Sequence, residues 1–196
     1  GEIRSALSTA ASSIIMVDAS AGVKVGTEKA WEECSKHKNP KFIVLTKIDK
    51  ENVDVDKVVA QLREKFGNSV VTDDDKDALN EAVAGTDEAL MEKFFNEEPF
   101  TDEEFYNGLM TGIATGDVVP IIKMSSKTGE GVDEVLRSIS KYVPTPNMHP
   151  AYPAKNIKGE DVEITTDPAE KPVLWVFKTI ADPFLGRISY AKVITG

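Results

Sequence analysis

The sequence predicts an α/β protein built on a mostly parallel sheet, for three reasons. Short apolar runs rich in β-branched residues occur at 14–17, 42–45 and 118–124, without the polar alternation of a half-exposed strand. Segments between these runs carry apolar residues three and four positions apart, as amphipathic helices do. Strand and helix patterns alternate along the chain, which favours parallel strands buried on both faces and joined by helical crossovers.

Composition limits the class of protein. The 196 residues, 41% of them hydrophobic, are enough for a buried core. No apolar run is long enough for a transmembrane helix and no signal-peptide pattern opens the chain, so we expect a cytoplasmic location and no membrane partner. The single cysteine, Cys34, cannot form an internal disulfide, and His37 and His149 stand far from any paired ligand, so no structural metal is expected.

The net charge of −10 is concentrated in one segment. Residues 72–105 contain thirteen acidic side chains against two lysines, a local charge of −11, and the remainder sums to +1. The ordinary interpretation of such a segment is a solvated helical face. Because the other surfaces are close to neutral, charge alone does not settle whether the partner is a nucleic acid.

The elements before residue 67 follow from apolar spacing. A helical pattern opens the chain with no capping residue before Glu2, so we expect the chain to be a fragment of a longer protein. After the strand at 14–17, a helix is predicted at 27–38, which Asn39-Pro40 ends. The strand at 42–45 precedes a helix whose apolar face is formed by Val58, Val59, Leu62 and Phe66.

From 67 to 116 the pattern changes, because helices at 77–96 and 102–115 are predicted with no strand between them. Thr101 and Glu104 form a capping box before the second helix. We interpret this stretch as an α-helical insert, after which the sheet resumes at 118–124 and is followed by a polar turn and an amphipathic helix.

Prolines punctuate the chain after Tyr142, which indicates a linker with some extended structure. Beyond it, β-rich runs at 173–178 and 188–194 flank a loop at 182–186 and predict two joined strands. Two strands are too few for a stable barrel or sandwich.

Polar turns follow three of the predicted strands, at 18–22, 46–49 and 125–127. Because the carboxyl ends of parallel strands meet at one edge, these turns are expected together where α/β folds bind ligands. Asp49 is placed to accept from the ring N–H and the exocyclic amine of guanine. Adenine lacks both donors and would leave the carboxylate unpaired.

The other candidate residues complete a base-binding site. Lys47 would lay its aliphatic stem over the base with its ammonium near the ribose, and the Thr46 hydroxyl would tie the loop together. Ser125, Ser126 and Lys127 follow the next strand, where the Ser126 N–H could donate to the guanine oxygen. Either turn alone could be a plain strand-end loop, and the prediction depends on having both after adjacent strands.

Groups that bind nucleotide phosphates are absent from the sequence. It contains no Gly-Lys-Ser or Gly-Lys-Thr and no Asp three residues before a Gly. We therefore expect no catalytic residue in this chain, weak nucleotide binding and no activity from the chain alone.

Four stretches of the chain resemble translational GTPases, specifically elongation factor G and its close relatives. They are the opening helix from Glu2 to Leu7, the run Val44-Leu45-Thr46-Lys47-Ile48-Asp49, the stretch from Val118 to Pro146 that includes Ser125-Ser126-Lys127, and the stretch from Phe177 to Val193 that includes Asp182-Pro183-Phe184-Leu185-Gly186-Arg187. Thr46 stands where the family usually has Asn, and Ser126 where it usually has Ala.

The resemblance implies a partial P-loop GTPase-type three-layer fold, a helical insert and the first strands of a β-barrel domain. For the intact parent protein it also implies GTP or GDP with Mg²⁺, the ribosome as partner and a role in translocation. The domains it suggests are a partial GTP-binding domain at 1–66, the insert at 67–116, the end of the GTP-binding domain at 117–145, a linker at 146–170 and the second domain from 171 to 196. The alternative is a nucleotide-free interaction module whose acidic helices bind a partner protein.

Overall fold

The computed structural model describes residues 2–37, 39–143, 145 and 151–196. The elements in chain order are α1 (Glu2–Thr9), β1 (Ser13–Asp18), α2 (Val25–Lys36), β2 (Lys41–Thr46), α3 (Val55–Phe66), β3 (Val70–Thr72), α4 (Lys76–Ala84), α5 (Glu88–Phe95), α6 (Asp102–Thr115), β4 (Val119–Lys123), α7 (Val132–Tyr142), β5 (Tyr152–Lys155), β6 (Asp161–Ile164), β7 (Val173–Asp182) and β8 (Gly186–Thr195). They form two compact units, a larger one over residues 12–143 and a smaller one from residues 2–11 and the described residues from 145 onward.

The larger unit is built on four parallel strands in the order β1-β2-β4-β3. The register sets Asp18 beside Thr46 and Leu45 beside Lys123, so three strands end at the same edge of the sheet. The predicted α/β class with a parallel sheet is confirmed.

β2 lies between β1 and β4 in the sheet, and the side chains on both of its faces are buried. Its four central side chains are each no more than 1% exposed. One of these faces carries a cluster shared by β2, β4 and α7, whose members include Phe42, Val44, Ile122, Val135 and Ile139.

β1 differs from the prediction of a strand buried on both faces. Ile15 and Val17 are buried at 4% and 1%, whereas Ile14 and Met16 are 39% and 56% exposed. The register places Ile14 on the same face as Phe42. Helix α7 packs on that face at β2 and β4, and the face is open at β1, the end strand of the sheet.

Two features between residues 67 and 116 differ from the prediction. β3 was not predicted, because so short a run shows no periodicity in sequence, yet its three buried residues pair in parallel with β4. The helix predicted at 77–96 is two helices, because the Asp87 carboxylate accepts from the backbone N–H groups of Ala89 and Leu90 at 2.8 and 3.3 Å and begins a new one. The capping box of Thr101 and Glu104 is confirmed at the start of α6.

The smaller unit contains α1 and two antiparallel hairpins. β7 and β8 confirm the two joined strands, and their turn is held by the Asp182 carboxylate, which accepts from the N–H groups of Phe184 and Leu185, both at 2.8 Å. β5 and β6 form the other hairpin, within the range interpreted as a linker with some extended structure.

Some predictions fall on residues outside those described. These are Lys38 at the end of the predicted helix 27–38, His149, and the prolines and linker residues at 144 and 146–150. No helix within the described ranges combines the length and the apolar character needed to cross a membrane.

Candidate functional site

The three predicted polar turns lie at the carboxyl edge of the sheet, and backbone hydrogen bonds tie the strand ends together there. The Ala19 N–H donates to the carbonyl oxygen of Thr46 at 2.9 Å, which joins the ends of β1 and β2. The Met124 N–H donates to the carbonyl oxygen of Leu45 at 2.8 Å, which joins β4 to β2. The turns that follow are therefore fixed relative to one another by the sheet.

Asp49 and Ser125 are in direct contact across two of these turns. The Ser125 hydroxyl donates to Oδ1 of Asp49 at 2.5 Å, and it accepts from the Thr128 N–H at 3.2 Å. Ser125 is fully buried, so its hydroxyl has a fixed direction. The structure thus orients a carboxylate from the end of β2 through a serine from the end of β4.

The carboxylate of Asp49 is held in its ionised form. The hydrogen bond from Ser125 lowers the pKa of Asp49 most, against the opposing effect of burial, and the positive charges of Lys127 and Lys50 lower it further. An ionised carboxylate is an acceptor only, with sites left on both oxygens for ligand donors after Ser125 has bound.

Thr46 and Lys47 shape the turn after β2. The Thr46 hydroxyl donates to the carbonyl oxygen of Val17 at 3.3 Å, which ties the loop to β1. Lys47 has a left-handed backbone with φ of 60°, and its ammonium forms an ion pair with the carboxylate of Asp18. Its head group is therefore directed to the turn after β1.

The turn after β4 depends on glycine. The Ser125 N–H donates to the carbonyl oxygen of Glu130 at 2.8 Å, which closes the turn into a compact loop. Gly131 has φ of 72°, and a Cβ there would lie 2.0 Å from the carbonyl oxygen of Lys123. Ser126 and Lys127 are exposed on this loop.

Asp18 is the residue of this edge that sequence reasoning missed. The turn 18–22 was recognised as a candidate, but no role was given to its first side chain. An Asp at a strand end followed two residues later by Ser20 is the pattern of an Asx turn, which could have indicated a fixed carboxylate.

A separate depression of about 650 Å³ lies beside the ends of β3 and β4. Two of its cations are paired with carboxylates, Arg63 with Asp75 and Lys123 with Asp74, both at 2.7 Å. Within the described part of the chain, no three His, Cys, Asp or Glu side chains are grouped as a metal ion would need.

Comparison with known protein families bears on this geometry. Residues 1–145 match the family described as the Elongation factor Tu GTP binding domain. The chain belongs to this family. The resemblance to translational GTPases and the GTPase-type α/β fold are thereby confirmed, since the family match covers most of the chain.

The curated relatives are larger than this chain. An elongation factor G-like protein from Thermotoga maritima is 27% identical over 93% of the chain and 32% of its own length. A protein of the same description from Mycobacterium tuberculosis is 25% identical over the whole chain and 33% of its own length. The chain thus spans about a third of each of these relatives.

A solved structure shares the fold. A crystal structure of a protein from Thermus thermophilus covers the whole chain with a TM-score of 0.76 and 24% sequence identity, and the chain covers 33% of that structure. At this level of identity the likeness concerns the fold alone.

Proposed function

We propose that this chain is the base-recognising part of an elongation factor G-like GTP-binding protein. The observation that carries the proposal is the contact of Asp49 with Ser125 at the carboxyl edge of a parallel sheet. The family match supports a guanine nucleotide as ligand. Membership in a translation-factor family supports the ribosome as partner of the complete protein, translocation as its role and the cytoplasm as its location.

In this proposal Asp49 selects guanine. Its ionised carboxylate accepts from the ring N–H and the exocyclic amine, which lie side by side on guanine. Adenine presents neither donor, so it would leave the charge without a partner in the site. Ser125 keeps the carboxylate aimed at the base through its buried hydroxyl.

The other predicted residues complete the pocket. The stem of Lys47 covers one face of the purine, and Thr46 fixes the loop through Val17. The exposed turn after β4 presents the Ser126 N–H to the guanine oxygen, and Lys127 adds positive charge beside Asp49.

The residues of this chain do not fit Mg²⁺ or a triphosphate. The sequence has no Gly-Lys-Ser or Gly-Lys-Thr for a phosphate-binding loop, and the described residues group no carboxylates for a metal. Much of the affinity of such proteins for nucleotide comes from those groups. The chain alone is therefore proposed to bind guanine nucleotides weakly and to hydrolyse none.

Titration with guanosine 5′-monophosphate tests the proposal. In a ¹H–¹⁵N correlation spectrum, the monophosphate should shift the amide signals of 46–49 and 125–127, whereas adenosine 5′-monophosphate should not. Calorimetry with GDP should give a Kd well above about 10 μM, since the phosphate contacts are missing. Equal shifts with both monophosphates, or tight GDP binding, would contradict this assignment.

A nucleotide-free interaction module is the second candidate, and the acidic helical surface favours it. Eleven of the thirteen acidic residues between 72 and 105 are exposed. If guanosine 5′-monophosphate leaves every amide signal unchanged, while a basic protein shifts those of α4, α5 and α6, this second function replaces the first.

A further inference from the structure

Lys47 and Asp18 connect two turns that come from different strands. Lys47 follows β2 and Asp18 ends β1, and the Lys47 ammonium forms an ion pair with Oδ2 of the Asp18 carboxylate. The two residues flank the backbone bond from the Ala19 N–H to the Thr46 carbonyl oxygen, at 2.9 Å. The ion pair therefore lies at the carboxyl edge of the sheet, and Lys47 belongs to the same turn as Asp49.

The Asp18 carboxylate is fixed before it meets Lys47. Its Oδ1 accepts from the backbone N–H of Ser20 at 2.9 Å and from the Ser20 hydroxyl at 2.6 Å. The Ser20 hydroxyl oxygen in turn accepts from the Lys50 ammonium at 3.1 Å. One oxygen of the carboxylate is thus anchored in its own turn, and the other points to Lys47.

Lys47 is also restrained at its backbone. Its φ of 60° is in the left-handed region, which is unfavourable for a residue with a Cβ. Such conformations persist where surrounding contacts determine them, and they are concentrated at ligand sites. Here the contacts are those of Thr46 with β1 and of the Lys47 ammonium with Asp18.

These restraints distinguish the pair from an ordinary surface salt bridge. The side chains of Lys47 and Asp18 are 49% and 30% exposed, and an exposed pair between two free side chains contributes little to stability. With one partner anchored by Ser20 and the other held at the backbone, the pair instead determines where the four-carbon stem of Lys47 lies.

We propose that Asp18 is a positioning residue of the base pocket, which holds the Lys47 stem in place as the wall that receives the purine. This inference rests on the proposed function, because it assigns Asp18 a role at the same site. Asp18 reaches the base only through Lys47. The carboxylate also lowers the entropy that Lys47 would lose on binding, since the stem is ordered beforehand.

Three variants of the 196-residue chain test this role. Asp18→Asn keeps the size of the side chain and removes its charge, and Asp18→Glu restores the charge. Glu51→Gln is the matched control, because it removes an exposed carboxylate from the turn after Asp49. Each is titrated with guanosine 5′-monophosphate by following the amide signals of 46–49.

The expected result is a selective loss of affinity. Asp18→Asn should weaken binding of the monophosphate roughly three- to fivefold, with Asp18→Glu recovering part of it and Glu51→Gln matching the parent chain. The slowly exchanging ammonium signal of Lys47, identified by Lys47→Arg, should disappear in Asp18→Asn and return in Asp18→Glu. The melting temperature should be similar in all three variants.

Two results would overturn the inference, and they are distinguishable. Unchanged affinity in Asp18→Asn, with the parent chain binding the monophosphate, removes the role of Asp18 and leaves the proposed function intact. Absence of any shift in the parent chain removes the proposed function and the base-positioning role with it. In that case the ammonium signal still reports whether Asp18 holds Lys47.

Discussion

Gly131 shows how the absence of one side chain shapes the candidate site. Its φ of 72° and the 2.0 Å from an added Cβ to the carbonyl oxygen of Lys123 leave no room for any other residue. Lys123 is the last residue of β4, so a shift there would move the turn that carries Ser125.

We expect Gly131→Ala to destabilise the protein by roughly 2–4 kcal/mol, because it combines backbone strain with a clash against the main chain. Gly129→Ala is the control, since Gly129 has φ of 84° but no atom within 4 Å of an added Cβ. Its cost should be about 1–2 kcal/mol, from the left-handed backbone alone. Urea denaturation of both variants measures the difference, and equal losses would disprove the clash.

The carboxylate of Asp49 should determine which purine the site prefers. Asp49→Asn replaces an acceptor-only carboxylate by an amide that also donates. Binding of guanosine 5′-monophosphate should weaken roughly tenfold, and xanthosine 5′-monophosphate should gain affinity, because xanthine has an oxygen in place of the exocyclic amine. Titrations of the parent chain and of Asp49→Asn with both nucleotides measure this change in relative affinity. Unchanged preference would place the base elsewhere.

Single residues also show what a sequence can and cannot predict about a site. Asp49 and Ser125 were found because each follows an apolar run, and the strand topology brings them together. The ion pair of Asp18 with Lys47 was not, because it depends on the left-handed backbone of Lys47 and on the neighbouring turn. The left-handed backbone leaves no pattern in the sequence, and the Asx-turn pattern of Asp18 and Ser20 indicates a fixed carboxylate but not its partner.

Among the elements, α6 packs closely because it contains two buried glycines. A Cβ on Gly112 would lie 2.4 Å from Cγ2 of Val118 and 2.9 Å from Cγ2 of Thr86. Gly108 is similarly close to Val83 and Leu90. Gly112 lets α6 approach Val118, the residue before β4, and Gly108 lets it approach α4 and α5, more closely than a larger side chain would permit.

Gly112→Ala is expected to destabilise the protein by about 1–3 kcal/mol, although alanine is the better helix former, because the new methyl group overpacks the core. Gly26→Ala, in the first turn of α2, has nothing within 4 Å of the added Cβ. That control should be neutral or stabilising by up to about 1 kcal/mol. Thermal melts compare the stability of the two variants. A higher melting temperature for Gly112→Ala would show that the neighbouring side chains can move to make room for the methyl group.

The contact between α5 and α6 should depend on pH. Lys93 donates to Glu104 at 2.6 Å, and this bond, followed by the N–H of Thr101, lowers the pKa of Glu104 to about 2. The unfolded value is about 4.3, so the stabilisation is complete above that pH and is lost as pH falls towards 2. Glu104→Gln should therefore melt lower than the parent at neutral pH and converge with it in acid.

Melting curves followed by circular dichroism from about pH 7 to about pH 2.5 measure this convergence. Glu103→Gln is the matched control, because Glu103 is the neighbouring exposed carboxylate in the same helical turn. A constant gap between Glu104→Gln and the parent across the range would mean that the ionised form of Glu104 is not what stabilises the fold.

At the scale of elements, sequence patterns succeeded where an element was long or repeated a period. α6 and its capping box were predicted from Thr101 and Glu104. β3 was missed because three residues carry no period, and the break before α5 was missed because the cap at Asp87 lies within a continuous apolar stripe.

For the whole molecule, burial differs sharply between the two units. In the larger unit β2 is buried along almost its full length, whereas Ile194 and Thr195 are the buried residues among those described in the smaller unit. The free energy of local opening follows such burial. The hairpin of β7 and β8 is therefore expected to open more readily than the sheet.

Hydrogen exchange followed by NMR tests this expectation. Amides of β2 should be the most protected, and those of β7 and β8 should exchange at least about tenfold faster. Similar protection in both units would indicate that they unfold together. The α/β class was predictable because helices and strands alternate, but this difference in stability depends on packing that the alternation does not encode.

The adjacency of β3 and β4 has a consequence for how freely this protein can change in evolution. The two strands are parallel neighbours, yet residues 73–118 separate them, far more than the minimum of about a dozen that a parallel crossover needs. The segment of residues 73–118 leaves the sheet at the end of β3 and returns to it at the start of β4. The length of this segment can therefore change between homologues without altering the pairing of the strands. That pairing aligns the turns after β1, β2 and β4.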